Sequence, residues 1–277
     1  KFLGNNNDLA MALVIMLPFA YFLLVRTTSW LMKLLLAGTI VLFGVGIMST
    51  LSRGGLIGLV TVAVIMAVRS RRRGTALAVF ATLAVAYVAL APGAFWDRMG
   101  TIADYSEDDS ARSRFYTWRA GAEMALRNPL LGVGAGNFVT AYRIRYHANR
   151  PENTTGILTA HSVYFEVLGE LGFTGLGLFL ALIVANFRTC ARLRRRAAGA
   201  GGERDVVTTA AAACEAGLGG FLASAAFISA FYYPHFWYLT ALVVIADRLG
   251  QEAVAEAPAP VAAARVALAA RGAFRTT

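Results

Sequence analysis

Charge is scarce in this chain: Asp, Glu, Lys and Arg make up 15% of its 277 residues, while 57% are hydrophobic. A soluble domain of that length cannot hide so much apolar surface, so the soluble globular classes are excluded. Acids are scarcer than bases, 16 against 26, giving a formal net charge of +10. That surplus does not point to nucleic acid, because the bases collect in short links between apolar runs, as the positive-inside rule expects. Two cysteines occur, Cys190 and Cys214, both at expected cytoplasmic helix ends. They read as reduced thiols without a disulfide. No HExxH, CxxC or other metal-ligand spacing is present. The chain opens KFLGNNNDLA, without an initiator Met or a signal peptide. It is therefore expected to be a fragment or processed product lacking upstream helices.

What the sequence does have is apolar runs long enough to span a bilayer, and a mean hydropathy of +0.58. Seven spans are expected, over residues 9–25, 34–49, 56–68, 75–91, 163–187, 206–230 and 238–249. The fold class is all-α, a polytopic transmembrane helical bundle with one long periplasmic loop that itself contains helices. Residues 1–91 carry the first four helices, 92–161 the loop with the active-site residues, 162–250 the last three helices and 251–277 a disordered cytoplasmic tail. Arg26, Lys33, residues 69–73, the link 188–204 and Arg248 fall on one side, read as cytoplasmic. The LSRGG turn (51–55), the long loop and FYYPHFW (231–237) fall on the other.

That second side holds the candidate chemistry. Arg53, in LSRGG, lies between two apolar spans where no positive-inside logic explains it. A guanidinium near hydrocarbon usually has a partner, and lipid phosphate or a ligand phosphate both qualify. Gly54 and Gly55 would let a ligand approach the backbone. Seven arginines fall between Arg112 and Arg150, with two acids, Glu123 and Glu152, up to residue 152. The stretch 112–127 reads as a helix whose polar face carries Arg112, Tyr116, Arg119, Glu123 and Arg127. Arg114 falls instead on the side of Trp118, Gly121 and Ala125, which suits an anion-gripping role. Arg112 and Arg119 read first as a solvated face, and are secondary candidates for binding substrate. GVGAGNF (132–138) has GxGxG without the strand a dinucleotide site needs, and reads as a tight turn closing the loop's helix over the membrane. His161 stands two residues before the fifth span. Near a helix N-terminus an imidazole tends to stay neutral, so His161 is the candidate general base, with His147 and His235 in reserve. The cluster DYSEDD (104–109) reads as a solvated acidic loop, and the sequon at Asn153 as chance.

Four stretches then suggest a family: NNNDLA (5–10), SRGG (52–55), the Arg114-x3-Trp118 motif running into NPLLGVGAGNF (128–138), and AHSVYFEVLGELGFTGL (160–176). Each is loose alone, but their order around one long loop resembles the O-antigen ligase/polymerase superfamily of bacterial inner membranes. The closer likeness is to the O-glycosylation ligases associated with exosortase systems, and it covers nearly all of residues 1–250. The resemblance implies a helical polytopic fold whose periplasmic loop covers the active site. It also implies two essential arginines and one essential histidine, which by motif fall on Arg53, Arg114 and His161.

The implied reaction moves a glycan from an undecaprenyl-pyrophosphate carrier to a hydroxyl of a glycolipid or protein acceptor, without cofactor, metal or ATP. Two bidentate arginines suit a pyrophosphate leaving group, and a neutral His161 suits the acceptor's proton. A polymerase of lipid-linked repeats shares this chemistry with a different acceptor. A non-enzymatic transporter of lipid-linked glycan would need the arginines and not the histidine. A membrane scaffold would need none of the three.

Overall fold

The computed structural model describes residues 5–69, 109–146, 159–196 and 203–255, with a few single positions between 73 and 93. Eight helices and no strand occur among the described residues: α1 (Asn6–Arg26), α2 (Trp30–Ser49), α3 (Arg53–Arg69), α4 (Asp109–Arg127), α5 (Phe138–Arg145), α6 (Val163–Arg196), α7 (Glu203–Ala225) and α8 (Pro234–Ala255). The fold is thus all-helical.

Polar residues that interrupt the apolar runs start several helices. The Asn5 side chain accepts the Asp8 N–H at 3.0 Å, that of Ser29 the Met32 N–H at 3.4 Å, and that of Ser52 the Gly55 N–H at 3.0 Å. Each satisfies an N–H that the helix itself cannot. Among the described residues four helices are long and apolar enough to cross a membrane: α1, α2, Val163–Arg195 of α6 and Val206–Ala225 of α7. The 17 residues of α3 rise only about 25 Å, short of a hydrocarbon core of about 30 Å. Most of the expected span over 75–91 lies outside the described residues, as do His147, Asn153 and most of the DYSEDD cluster. The sixth expected span ends early, at Ala225, and 226–233 form a turn rather than helix. The last one is longer than expected, starting at Pro234 and running to Ala255.

α7 is the axis of the bundle. Its run from Ala211 to Phe221 is buried, and seven of its eleven residues are Ala or Gly. Small side chains let helix backbones come close where apolar contact alone gives little discrimination against lipid. One core joins α1, α6, α7 and α8 around Phe179, Phe221 and Phe236, and a second joins α1, α2, α3 and α7 around Tyr21, Val62 and Met66. A third, separate core, with Met124, Phe138, Tyr142 and Tyr146, holds α4 to α5.

α6 is broken at Gly172, where φ is 66° and ψ −166°. The connection 128–137 sits in the break. Val133 N–H donates to the Gly169 carbonyl (3.0 Å), Gly134 N–H to the Glu170 carbonyl (2.9 Å), and Phe173 N–H to the Pro129 carbonyl (2.8 Å). The bonds that a continuous helix would make at this turn are thus made to another segment, and the backbone groups stay satisfied. A Cβ at Gly172 would lie 2.6 Å from the Pro129 oxygen, and one at Gly132 would lie 2.4 Å from the Glu170 carbonyl carbon. The GxGxG stretch is therefore more than the tight turn expected. It is a backbone strap laid against α6, and glycine is required on both sides of the contact.

The two ends of the bundle differ in chemistry. At one, Arg69 and Arg194 flank a buried Glu215 at 3.1 and 3.0 Å, Arg192 lies 3.7 Å from Asp247, and Arg26 donates to Thr209 at 3.2 Å. The clusters grouped on one side by sequence thus do meet. The other end gathers the starts of α1, α3, α6 and α8 with the end of α7.

Candidate active site

Arg53 is the first residue of α3 and is half-buried. Leu51, at φ 51°, turns the chain out of α2, and Ser52 then caps α3 while donating its hydroxyl to Asn7 Oδ1 at 2.7 Å. The NNNDLA and SRGG stretches are thus bonded to each other. The sequence expectation that the glycines after Arg53 open the backbone to a ligand is not met. Gly55 packs so tightly that a Cβ would meet that of Ala10 at 2.6 Å, and a Cβ at Gly54 would meet the Phe227 Cβ and the Ser224 carbonyl at 3.6 Å. The smallness of Gly55 serves the packing of α3 on α1.

Arg114 lies on the inner side of α4, as helical periodicity indicated. Its guanidinium carbon stands 5.9 Å from the centre of the Phe227 ring, within cation–π range. Trp118, one turn on, stacks on Phe165 of α6 with ring centres 5.3 Å apart and planes at 11°. Arg119 is exposed, on the outer face with Arg127, whose guanidinium pairs with Glu123 at 2.6 Å. Arg112 lies in the first turn of α4, and its side chain is outside the described residues.

His161 has φ 47°, a left-handed conformation that costs a non-glycine residue energy and clusters at functional sites. It is held on both sides. Its N–H donates to Ser229 Oγ at 2.9 Å, and the preceding Ala160 carbonyl accepts the Thr117 hydroxyl of α4 at 3.2 Å. Burial first, and then the charge of Arg114, hold the imidazole below its ordinary value of 6.5. The direction matches the expectation, but the cause differs, since neighbours and desolvation do what had been assigned to the helix terminus. At neutral pH this imidazole is uncharged.

The structure therefore brings Arg53, Arg114 and His161 to one end of the bundle, around one short segment. Residues 226–233, between α7 and α8, pack Phe227 against Gly54 and beneath Arg114, and bond Ser229 to His161. Residues 38–180, about half of the chain, match the O-antigen ligase family, and all three of these residues fall inside the match. The chain belongs to the O-antigen ligase family. No curated protein matches it. Membership makes it a multi-pass membrane protein of a glycosyl-transferring family, whose substrates are a lipid-linked glycan and an acceptor.

The hub segment lies beyond the matched residues of this O-antigen ligase family member, and sequence reasoning passed over what holds it. Three buried carboxylates take three consecutive residues of the turn. Glu166 accepts the Phe231 N–H at 3.0 Å, Glu170 accepts the Tyr232 hydroxyl, and Asp8 accepts the Tyr233 hydroxyl at 2.9 Å. Burial first, and then their carboxylate partners, push both phenols up, that of Tyr233 to about 12, so they stay donors. The signal was present in YFEVLGELGF: two carboxylates four residues apart in an otherwise apolar helix are costly unless bonded.

Proposed function

We propose that the chain transfers a glycan from a polyprenyl-pyrophosphate carrier, undecaprenyl pyrophosphate in the inner membrane, to an acceptor hydroxyl on the periplasmic side. The observation that carries this reading is that one short turn holds both Arg114 and His161, with Phe227 beneath the guanidinium and Ser229 bonded to the His161 N–H, while burial first and then the Arg114 charge favour the neutral imidazole. A neutral base beside a fixed guanidinium suits a reaction that takes a proton from a hydroxyl while negative charge builds on a leaving diphosphate. Arg53, whose neighbour Gly54 packs against the same hub segment, is the second guanidinium for that leaving group, and a planar guanidinium matches phosphate oxygens two at a time. The exposed Arg119, and Arg112 with it, guide the glycan or its lipid phosphates toward the site.

The reaction balances without a further reactant. The bond from the anomeric carbon to the pyrophosphate oxygen breaks, a bond to the acceptor oxygen forms, and His161 takes the hydroxyl proton. The test is transfer from a lipid-pyrophosphate glycan by purified full-length protein in EDTA. Arg53→Ala, Arg114→Ala and His161→Ala are each expected to abolish transfer while folded protein remains in the membrane. Transfer that survives His161→Ala would move the reading to a carrier that does no chemistry, and survival in all three would leave only a scaffold. Product length separates ligase from polymerase: one block added, or a ladder of repeats.

A further inference from the structure

We propose that Glu170 is a positioning residue that sets Arg114 against His161 by fastening two separate chain segments, 136–138 and 226–233, to one carboxylate on a third. This rests on the glycosyl-transfer reading above. Glu170 is 3% exposed, and both of its oxygens are engaged. Oε2 accepts the Gly136 N–H at 2.7 Å and the Tyr232 hydroxyl, and Oε1 accepts the Phe138 N–H at 3.0 Å. The Gly136 N–H also lies 2.8 Å from the Tyr232 oxygen, which closes a triangle.

Each bonded segment leads to a site residue. Gly136 and Phe138 belong to the strap and to α5, which share a core with α4, the helix of Arg114. Tyr232 belongs to the hub segment that carries Phe227, beneath Arg114, and Ser229, which holds the His161 N–H. Glu170 itself stands on the part of α6 that begins at Val163, just after His161, and ends at the Gly172 break. A shift at Glu170 therefore changes the separation of Arg114 and His161 without touching either.

The demand is specific to a carboxylate. Three donors converge on two oxygens, and an amide would turn an NH2 toward at least one of them. Leaving a buried donor unmatched removes the bond and keeps the desolvation cost. Glu166 is the internal contrast, since it accepts a single N–H, from Phe231, which a glutamine oxygen can also accept.

The experiment uses full-length protein in nanodiscs, with initial rates of transfer from a lipid-pyrophosphate glycan. Spin labels at the exposed positions Leu126 of α4 and Leu178 of α6, introduced as Leu126→Cys and Leu178→Cys, report the spacing of the two helices. Glu170→Gln is expected to lower kcat about tenfold to a hundredfold, the effect of misplacing groups by an ångström. The label distance should broaden while the melting temperature stays near that of wild type. Tyr232→Phe should lower kcat in the same direction and add little on top of Glu170→Gln, as members of one network do. Glu166→Gln should stay close to wild type. Turnover at the wild-type rate in Glu170→Gln or in Tyr232→Phe overturns the proposal. So does a loss of turnover that merely tracks a fall in melting temperature with the distance unchanged. If Glu170→Gln does not fold, Tyr232→Phe alone decides by the same two criteria. His161→Ala runs alongside: full transfer in that variant sinks the reaction itself, whereas its loss together with normal Glu170→Gln sinks only the role given to Glu170.

Discussion

Gly172→Ala is the smallest change that separates two structures of α6. In the observed one the helix is broken at φ 66°, ψ −166°, and the strap 128–137 bonds into the break. That backbone region is essentially reserved for glycine and costs other residues about 1–3 kcal/mol. The new Cβ would also stand 2.6 Å from the Pro129 oxygen and 2.8 Å from the Leu130 carbonyl carbon, both backbone atoms that can move only if the strap withdraws. In the alternative the helix runs straight through residue 172. The carbonyls of Gly169 and Glu170 then take their own i+4 donors, and alanine improves on glycine in a helix by about 1 kcal/mol. Summed, the substitution favours the undocked strap by roughly 2–4 kcal/mol, a shift of about 30- to 700-fold in the docking equilibrium. Hydrogen exchange at the Val133, Gly134 and Phe173 amides reads it directly. The Val133 and Gly134 amides should lose protection by that factor, Phe173 should keep it through a new bond within the helix, and transfer should fall with helix content undiminished. Unchanged protection at Val133 and Gly134, with an unchanged rate, would refute the view that glycine is required for the strap to dock.

Transfer should be constant above pH 6.5 and fall as pH drops through a midpoint below that value, because a depressed histidine pKa keeps the base neutral to lower pH. The same shift makes the folded state bind fewer protons than the unfolded one, so the His161 contribution to stability is full above 6.5 and is lost as pH falls from there to the folded pKa; a melting series against pH reads the sign. Arg114→Lys keeps the charge and loses the planar fork, so donor affinity should fall less than in Arg114→Ala but still measurably, read by titration with the lipid-pyrophosphate donor. At the opposite end, Arg194→Met leaves the Glu215 carboxylate, 7% exposed, with Arg69 alone, and should cost about 1–3 kcal/mol in a detergent melt while leaving transfer intact.

Much of the fold was legible because the bilayer imposes it. Apolar runs capped by Asn5, Ser29 and Ser52 map onto α1 to α3 within a few residues, α3 being shorter than a span, and the basic links do meet at one end. Boundaries failed where tertiary contacts overrode hydropathy. Residues 226–230 are as apolar as a helix end, yet they leave the helix because Glu166, Glu170 and Asp8 hold the turn that follows. The break at Gly172 was hidden for the same reason, since nothing local in GELGFTG distinguishes a flexible glycine from one that receives a strap 40 residues upstream. For the site, the side of α4 that carries Arg114 followed from helical periodicity alone. The neutral state of His161 was expected, but for a cause within its own helix. Its actual causes, burial and Arg114, are separated from it in sequence and are invisible before folding.

In the proposed reaction Arg53 and Arg114 hold a diphosphate that His161 does not hold. Titrating the lipid-pyrophosphate donor into full-length Arg53→Ala, Arg114→Ala and His161→Ala measures that division of labour. Loss of one charge-assisted contact, about 1.5–3 kcal/mol, should weaken donor binding about 10- to 150-fold in each arginine variant. The histidine variant should bind as wild type does and turn over nothing. Wild-type donor affinity in both arginine variants, or turnover in the histidine variant, would contradict it.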